Sequence, residues 1–221
     1  MKKKKSFDLG TITGKCVDYT FDGKGIVKTN TKPCFVDALL VGEEADIKLN
    51  YQKSEMYFGK ILKLHNLSPN RIKPLCPVST ACGGCCFQNL KYEEQLKFKQ
   101  KKVKDALYKI GHLNVNVEPT IGMENPYHYR NKIQMPIGMN QKKQIISGFY
   151  RTDSHEIIPI NECFIEDERA SKIINTLKAL MKKHKILPYN EDTRVGIIRH
   201  CLIRTSHYYP QIMVVLVTNA D

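Results

Sequence analysis

The feature that most constrains this chain is a dense cysteine segment, CPVSTACGGCC, at residues 76–86. Three of its cysteines follow a C-x5-C-x2-C spacing, and a further cysteine lies far downstream in the sequence NECF. Three clustered thiols and one remote thiol suit an iron–sulfur cluster. The candidate ligands are Cys76, Cys82, Cys85 and Cys163. Gly83 and Gly84 are expected to allow tight turns and a close approach to an inorganic core.

Other interpretations of the cysteines stay open at this point. A structural zinc site usually has a second C-x-x-C pair at short range, which this pattern lacks. Plant-type ferredoxins have a similar spacing, although a net charge of +13 is unusual for a mobile electron carrier. The cysteines could also be merely buried small hydrophobic residues, which is the interpretation favoured for Cys16, Cys34 and Cys201. Cys86 could replace Cys85 as a ligand if the turn were different.

The charge of the chain predicts a polyanionic partner. Lys and Arg number 35 against 22 Asp and Glu, which gives a net charge of +13 and a pI near 9.3. The basic start MKKKK is followed by no apolar segment, and the apolar run at 212–217 is too short to span a bilayer. We therefore expect a cytoplasmic protein without membrane binding. In that reducing compartment, eight cysteines favour metal ligation or catalysis over disulfides.

The hydrophobic pattern predicts a mainly β fold followed by an α+β region. Residues 1–9 form a basic tail, and residues 10–63 contain short strands between turn signals that are typical of a small β-barrel. Its clearest strand is ADIKLNY, in which apolar and polar residues alternate. The sequence DGKG at residues 22–25 is rejected as a nucleotide-binding loop because a strand-like segment follows it.

Residues 64–221 are expected to form one further domain. A long helix is predicted over 89–111, with an apolar stripe of Leu96, Val103, Leu107 and Ile110. A second helix is predicted from about 166 to 185, opened by acidic residues at 166–168 and lined by Ile173, Ile174, Leu177, Leu180 and Met181. Strands around it and a final hairpin complete the α+β arrangement.

Five segments, in this order, carry a resemblance to a known family: SPNRIKPLCP, ACGGCCFQNLKYEEQLKFKQKKV, YRNKIQ, GFYRTDSH and NECF. From about residue 17 to 217 the chain resembles bacterial 23S ribosomal RNA uracil-5-methyltransferases. The resemblance implies that the barrel is a TRAM domain, an OB-like RNA-binding module. It also implies that the four candidate ligands hold a 4Fe-4S cluster.

The resemblance further implies an RNA-contacting strand region beside the active site, consisting of Tyr129, Arg130, Asn131, Lys132, Arg151, Ser154 and His155. Arg199, His200 and Arg204 flank Cys201 and are expected to contact phosphate. Aromatic rings such as those of Tyr129, Phe149 and Tyr150 are available for base stacking. The expected partner is 23S ribosomal RNA, without DNA, and the expected state is a monomer.

The family's Rossmann-like methyltransferase domain, with its Gly-rich loop for S-adenosylmethionine, its nucleophilic cysteine and its base, is not recognisable in this sequence. The resemblance therefore assigns no catalytic residue and no S-adenosylmethionine-binding residue here, so that cofactor is expected only in a full-length member. The 221-residue chain is expected to be inactive alone. The alternatives are a stand-alone RNA-binding iron–sulfur adaptor and a ferredoxin-like redox module.

Overall fold

The computed structural model describes residues 9–152 and 154–219. The predicted basic tail lies almost entirely outside the described residues. By its internal contacts the chain divides into two compact units. The first contains residues up to Pro74 together with Cys86–Gly122, and the second contains Leu75–Cys85 together with the residues from Met123 onward. Within the described part, no helix is long and apolar enough to cross a membrane.

The first unit contains the predicted barrel. Its strands are β1 (Thr11–Tyr19), β2 (Gly25–Val27), β3 (Cys34–Val36), β4 (Glu44–Lys53) and β5 (Met56–Leu64). They close in the order β1-β2-β3-β5-β4, with β3 and β5 parallel and the other described pairs antiparallel. Closure removes the open edges that an isolated small sheet would expose.

Alternation along the strands fills the barrel. Ala45, Ile47 and Leu49 of β4 are buried, as the period of two predicts. Gly59 of β5 faces this core. A Cβ at this position would lie 2.4 Å from a methyl group of Ile47, so a larger residue would clash there. Cys16 and Cys34 are buried in the same cluster, which confirms their interpretation as small hydrophobic residues.

The connector after the barrel is held by a buried ion pair. The carboxylate of Glu43 is fully buried and accepts hydrogen bonds from Arg71 Nε and Nη2, both at 2.6 Å. It also accepts from the backbone N–H groups of Leu40 at 2.8 Å and Ser68 at 3.1 Å. Burial opposes ionisation of Glu43, but these four donors outweigh it and lower the pKa of the carboxyl group. The connector is therefore seated on the barrel by charge-assisted bonds.

Helix α1 (Tyr92–Lys109) confirms the long helix, but its predicted stripe is partly wrong. Val103 and Ile110 are 51% and 81% exposed, and α1 has no fully buried residue. The helix packs instead through Phe98, whose ring meets Phe87 at 4.8 Å and Tyr19 at 5.6 Å between centroids. Edge-to-face contacts with aromatic residues from distant segments thus decide which side of α1 is covered.

The second unit is an α+β structure. Its strands are β6 (Lys132–Met139), β7 (Ile145–Tyr150), β8 (Ile157–Pro159), β9 (Ile198–Thr205) and β10 (Ile212–Thr218), in the order β10-β9-β6-β7-β8. Helix α2 (Glu168–Lys183) buries Ala170, Ile174 and Met181 against Ile133, Met135, Cys201 and other residues of this sheet. Leu180, predicted on the packed side, is 47% exposed. Cys201 is fully buried, as expected for a small hydrophobic residue.

The division into units differs from the domain boundary expected at residue 63. Residues 86–122, which include α1, belong with the barrel. The physical reason is the packing of Phe87 and Leu90 on Leu40, together with the Asn89 side chain donating to the Ala38 carbonyl at 2.9 Å.

Removal of Arg71 is expected to destabilise the fold, because the buried Glu43 carboxylate then lacks its charged partner. The substitution Arg71→Met should lower the free energy of unfolding by about 3 kcal/mol, because an unpaired carboxylate stays in the interior. The double variant Arg71→Met with Glu43→Gln should lose clearly less than the sum of the single losses. Urea unfolding measures both.

The surface pair Lys97–Glu94, at 2.6 Å, provides a matched control for this experiment. Lys97→Met should cost less than about 1 kcal/mol, because exposed pairs contribute little. Equal losses for Arg71→Met and Lys97→Met would show that the buried pair does not hold the connector.

Candidate functional site

The four predicted ligand cysteines lie in the second unit, and no cysteine of the chain forms a disulfide. Burial raises the pKa of the Cys82 thiol, and the neighbouring Cys85 and Cys76 raise it further. Burial also raises the pKa of Cys163 to about 11, with a smaller effect from Cys85. The fold thus brings the clustered and the remote cysteines into one electrostatic neighbourhood. Among the described residues, no three Cys, His, Asp or Glu side chains are arranged to hold a metal ion.

Backbone hydrogen bonds shape the cysteine segment. The N–H groups of Ala81 and Cys82 donate to the carbonyl of Val78 at 3.0 and 2.8 Å. Gly83 N–H donates to the Tyr150 carbonyl at 3.2 Å, and Cys82 pairs with Arg151 in an isolated antiparallel bridge. A Cβ on Gly83 would lie 3.3 Å from that carbonyl, so the glycine permits close approach of two backbones. The segment is therefore fastened to the end of β7.

Glu166 is the residue that the sequence analysis placed incorrectly. It was expected to open α2, but the helix begins at Glu168 and its N-cap is Asp167. Glu166 is fully buried, and within the described residues neither of its carboxyl oxygens has a hydrogen-bond partner. Burial raises its pKa to about 7, against a smaller opposing effect of Arg130. Its charge also raises the pKa values of Cys82 and Cys163, so it lies beside the thiols.

Cys86 has a different set of described neighbours. It belongs to the first unit, where a Cβ on Gly23 would lie 3.1 Å from the Cys86 Sγ. Gly23 has a φ of +88°, a conformation that favours glycine. The neighbourhood of Cys86 is thus set by the barrel turn.

Several predicted RNA-contacting residues share one face of the second sheet. Lys132 lies opposite Arg204, and Pro136 lies opposite His200, at alternate positions of β6 and β9. The intervening residues of both strands pack against α2. Lys132, Arg204 and His200 therefore lie on the face away from α2, where Lys132 and Arg204 are exposed.

A groove beside this face is lined by three more of the predicted residues, Tyr150, His155 and Arg199. It has a volume of about 880 Å³, and its lining includes Tyr150, His155, Tyr189, Arg199 and His200. The Arg199 guanidinium lies over the Tyr189 ring at 4.9 Å and contacts Glu191 at 3.0 Å. Burial, and then the charge of Arg199, lower the pKa of His200. Near pH 7, His200 therefore offers a neutral hydrogen-bonding ring.

The remaining predicted residues have mixed roles. Arg151 donates to both oxygens of Glu156, at 2.6 and 3.1 Å, and Ser154 Oγ accepts from the Glu156 N–H. Arg130 N–H donates to the Ile165 carbonyl, and Asn131 O accepts from the Thr205 N–H at 2.9 Å. Tyr129 is 52% exposed. Arg151 thus lies beside the cysteine segment, while residues 130–131 connect β6 to the loop of Cys163.

Comparison with known proteins gives these observations a context. No family model matches the chain. It is 43% identical over 218 residues, 99% of its length, to a protein from Clostridium tetani named an uncharacterized RNA methyltransferase. A Staphylococcus epidermidis protein of the same description is 38% identical over 208 residues. Nearly all of the chain is therefore similar in sequence to proteins named RNA methyltransferases.

A solved structure points the same way. The Pyrococcus abyssi tRNA (uracil-54, C5)-methyltransferase, in complex with S-adenosyl-L-homocysteine, matches 95% of this chain with a TM-score of 0.70 and 27% identity. The chain covers 46% of that structure and 46% of the curated relatives named above. It therefore spans about half the length of the methyltransferases it matches.

The loop after Cys163 should show an acid-dependent stability through Asp167. This carboxylate accepts from Arg169 N at 2.9 Å and Nη2 at 2.6 Å, and the guanidinium holds its pKa well below the ordinary value. Asp167→Asn should cost about 1 kcal/mol at pH 7, because asparagine can still cap the helix but lacks the charge that pairs with the Arg169 guanidinium. Thermal unfolding across pH measures the difference.

The direction of this pH effect on the free energy of unfolding follows from proton linkage. A depressed folded-state pKa gives stability that is present above the unfolded Asp value of about 3.9 and is lost as pH falls through the folded value. The two proteins should therefore converge below about pH 4. Glu162→Gln is the control, because Glu162 is an exposed carboxylate near this loop but outside α2. A constant difference between pH 7 and pH 3 would contradict the role of the Asp167 charge.

Proposed function

We propose that this chain is the RNA-binding and cluster-binding part of an RNA uracil-5-methyltransferase. The observation that carries the proposal is its similarity to proteins named RNA methyltransferases over 99% of its length, combined with the presence of all four candidate cysteines in one unit. The net charge of +13 and the basic face of the second sheet supply an attraction for RNA phosphates.

In the proposed reaction of the whole enzyme, a methyl group passes from S-adenosylmethionine to carbon 5 of a uridine. A thiolate adds to carbon 6 of the base, and carbon 5 then attacks the methyl group with release of S-adenosylhomocysteine. A carboxylate removes the carbon 5 proton, and the electron pair of that bond expels the thiolate from carbon 6. No residue of this chain is assigned to these steps. The proposed contribution of this chain is to bind and orient the RNA.

The proposed ligands of a 4Fe-4S cluster are Cys76, Cys82, Cys85 and Cys163, which suit it by their thiol chemistry, although the described side chains are not arranged around a common metal position. The donor set consists of four thiols outside disulfides, with a buried and unpartnered Glu166 carboxyl beside them. When bound, such a cluster supplies a covalent cross-link between the 76–85 segment and Cys163. The proposed role is structural, because the cysteine segment also contacts the strand that leads to Arg151 and His155.

For the substrate we propose 23S ribosomal RNA, as the family resemblance implies. A transfer RNA is the second candidate, because the structural neighbour is named a tRNA (uracil-54, C5)-methyltransferase. Competition between a 23S ribosomal RNA fragment and transfer RNA for the chain distinguishes them. Stronger binding of the transfer RNA would overturn the ribosomal assignment.

The cluster proposal predicts that Cys163→Ser loses iron. Anaerobically purified wild-type chain should contain about four irons and four sulfides with broad brown absorption. Cys163→Ser should lose most of the iron and melt at a lower temperature, because the cross-link to the 76–85 segment is gone.

Cys86→Ser is the matched control, since Cys86 lies in the other unit and should leave the iron content unchanged. Full iron and an unaltered melting temperature in Cys163→Ser would refute the ligand set. Stoichiometric zinc in a colourless wild-type protein would show that the cysteines bind zinc and not a 4Fe-4S cluster.

The basic sheet face predicts a change in salt dependence. Lys132→Gln should reduce the slope of log K against log salt by about 0.7 to 0.9 for RNA binding, because one phosphate contact is lost. Lys172→Gln is the matched control, because Lys172 is an exposed residue of α2, which covers the opposite face of the sheet. Equal salt-dependence slopes for Lys132→Gln and Lys172→Gln would show that RNA does not bind on the sheet face that carries Lys132.

A further inference from the structure

Strand β10 lies at one end of the second sheet, and its side chains are apolar on both faces. The run IMVVLV at residues 212–217 contains no charge, proline or glycine. Successive side chains of a strand point to opposite faces, so the run presents apolar groups on each. Each of its residues is between 37% and 48% exposed. Strands that are apolar on both faces ordinarily lie inside covered sheets, and β10 instead lies at an edge.

The cover that α2 provides ends at β9. Cys201 and Ile203 of β9 are fully buried in the cluster that packs against α2. Leu216 and Val214 of β10 lie directly opposite them and therefore share their face of the sheet. The described residues of that cluster nevertheless include none from β10. Val214 and Leu216 thus form an uncovered strip on this face, which we call the apolar strip.

The two edges of the sheet differ in their protection against another strand. β8, at the opposite edge, has three residues, and its Pro159 has no N–H to donate. Short strands, prolines and charged side chains are the usual protection of an edge. β10 has seven residues and none of these features. Within the described part of the chain no strand pairs with its outer edge, so its outward N–H and C=O groups can bond a further strand.

We propose that β10 is the interface of a homodimer, in which it pairs antiparallel with β10 of a second copy. An antiparallel strand pair is self-complementary about a two-fold axis perpendicular to the sheet, so a second copy fits it without any other partner. The two sheets then continue as one, with both α2 helices on the same face. The register centred on Val215 gives the longest overlap and places Val214 opposite Leu216 of the second copy. The two apolar strips adjoin there, and each covers part of the other.

The size of this interface sets the expected affinity. A single strand pair belongs with the interfaces below about 1,200 Å² that are typical of weak complexes, and we expect a Kd of about 10 μM. Because pairing consumes the β10 edge of both copies, association ends at the dimer. A dimer departs from the monomer expected from the sequence, which does not show which strand lies at the sheet edge.

Salt separates this dimer from two basic chains bridged by RNA. The net charge of +13 opposes association of two copies, and added salt screens that repulsion. The dimer should therefore become tighter between about 50 and 500 mM salt. Chains bridged by RNA should instead dissociate, because phosphate contacts weaken as salt rises.

Val215→Lys tests the pairing directly. It places two lysines opposite each other across the two-fold axis, so it should weaken the dimer at least about tenfold. Val215→Glu should weaken it similarly, and an equimolar mixture of the two variants should restore the dimer, because opposite charges then face each other. Sedimentation velocity of the nuclease-treated chain between roughly 1 and 100 μM measures the association.

Val103→Lys is the matched control, because Val103 is an exposed valine of α1 in the first unit. It should dimerise as the wild type does. A wild-type chain that stays monomeric at about 100 μM would overturn the dimer and leave the β10 edge to a different segment. Association that Val215→Lys leaves unchanged, or that continues beyond two copies, would also overturn it. None of these results affects the proposed function, because the dimer does not require RNA binding.

Discussion

The first unit depends on one buried carboxylate, that of Glu43. Four donors converge on it from the barrel turn and from the connector, through Leu40, Ser68 and Arg71. The connector then pairs with the segment before α1, where Arg71 lies opposite Leu90 and Ile72 N–H donates to Asn89 O. A charge in the interior is costly unless it is paired and hydrogen-bonded. This requirement fixes the start of the connector on the barrel, because Ser68 and Arg71 must both reach the Glu43 carboxylate.

Sequence periodicity predicts those parts of the fold that one segment determines by itself. ADIKLNY forms β4 because alternate side chains face a closed core, and α2 forms where an acidic start precedes an apolar stripe. The stripe of α1 was wrong at Val103 and Ile110, because the packed side is chosen by Tyr19 and Phe87 from other segments. Periodicity along one helix holds no information about such partners.

The candidate site shows the same division between local and non-local information. Cysteine spacing picks out four residues that share one unit, and the basic residues predicted to contact RNA belong to the same unit. Glu166 was missed because an acidic residue before a helix ordinarily caps it or favours its dipole. In the structure, Asp167 is the N-cap of α2, and the Glu166 side chain is buried beside Cys82 and Cys163. Which of the three consecutive acidic residues is buried depends on tertiary packing, and the local sequence does not predict it.

A cross-link suits the cysteine segment for an energetic reason. Of the described residues 75–85, only Cys76 is buried, and Leu75 is 53% exposed. Hydrophobic burial therefore contributes little to holding this segment, and a few backbone hydrogen bonds to Val78 and Tyr150 must oppose its chain entropy. Cross-linking residues distant in sequence reduces the entropy of the unfolded chain, with a gain that grows with loop length. A cluster bridging residues 85 and 163 would close a long loop, so it would stabilise the segment where side-chain packing does not.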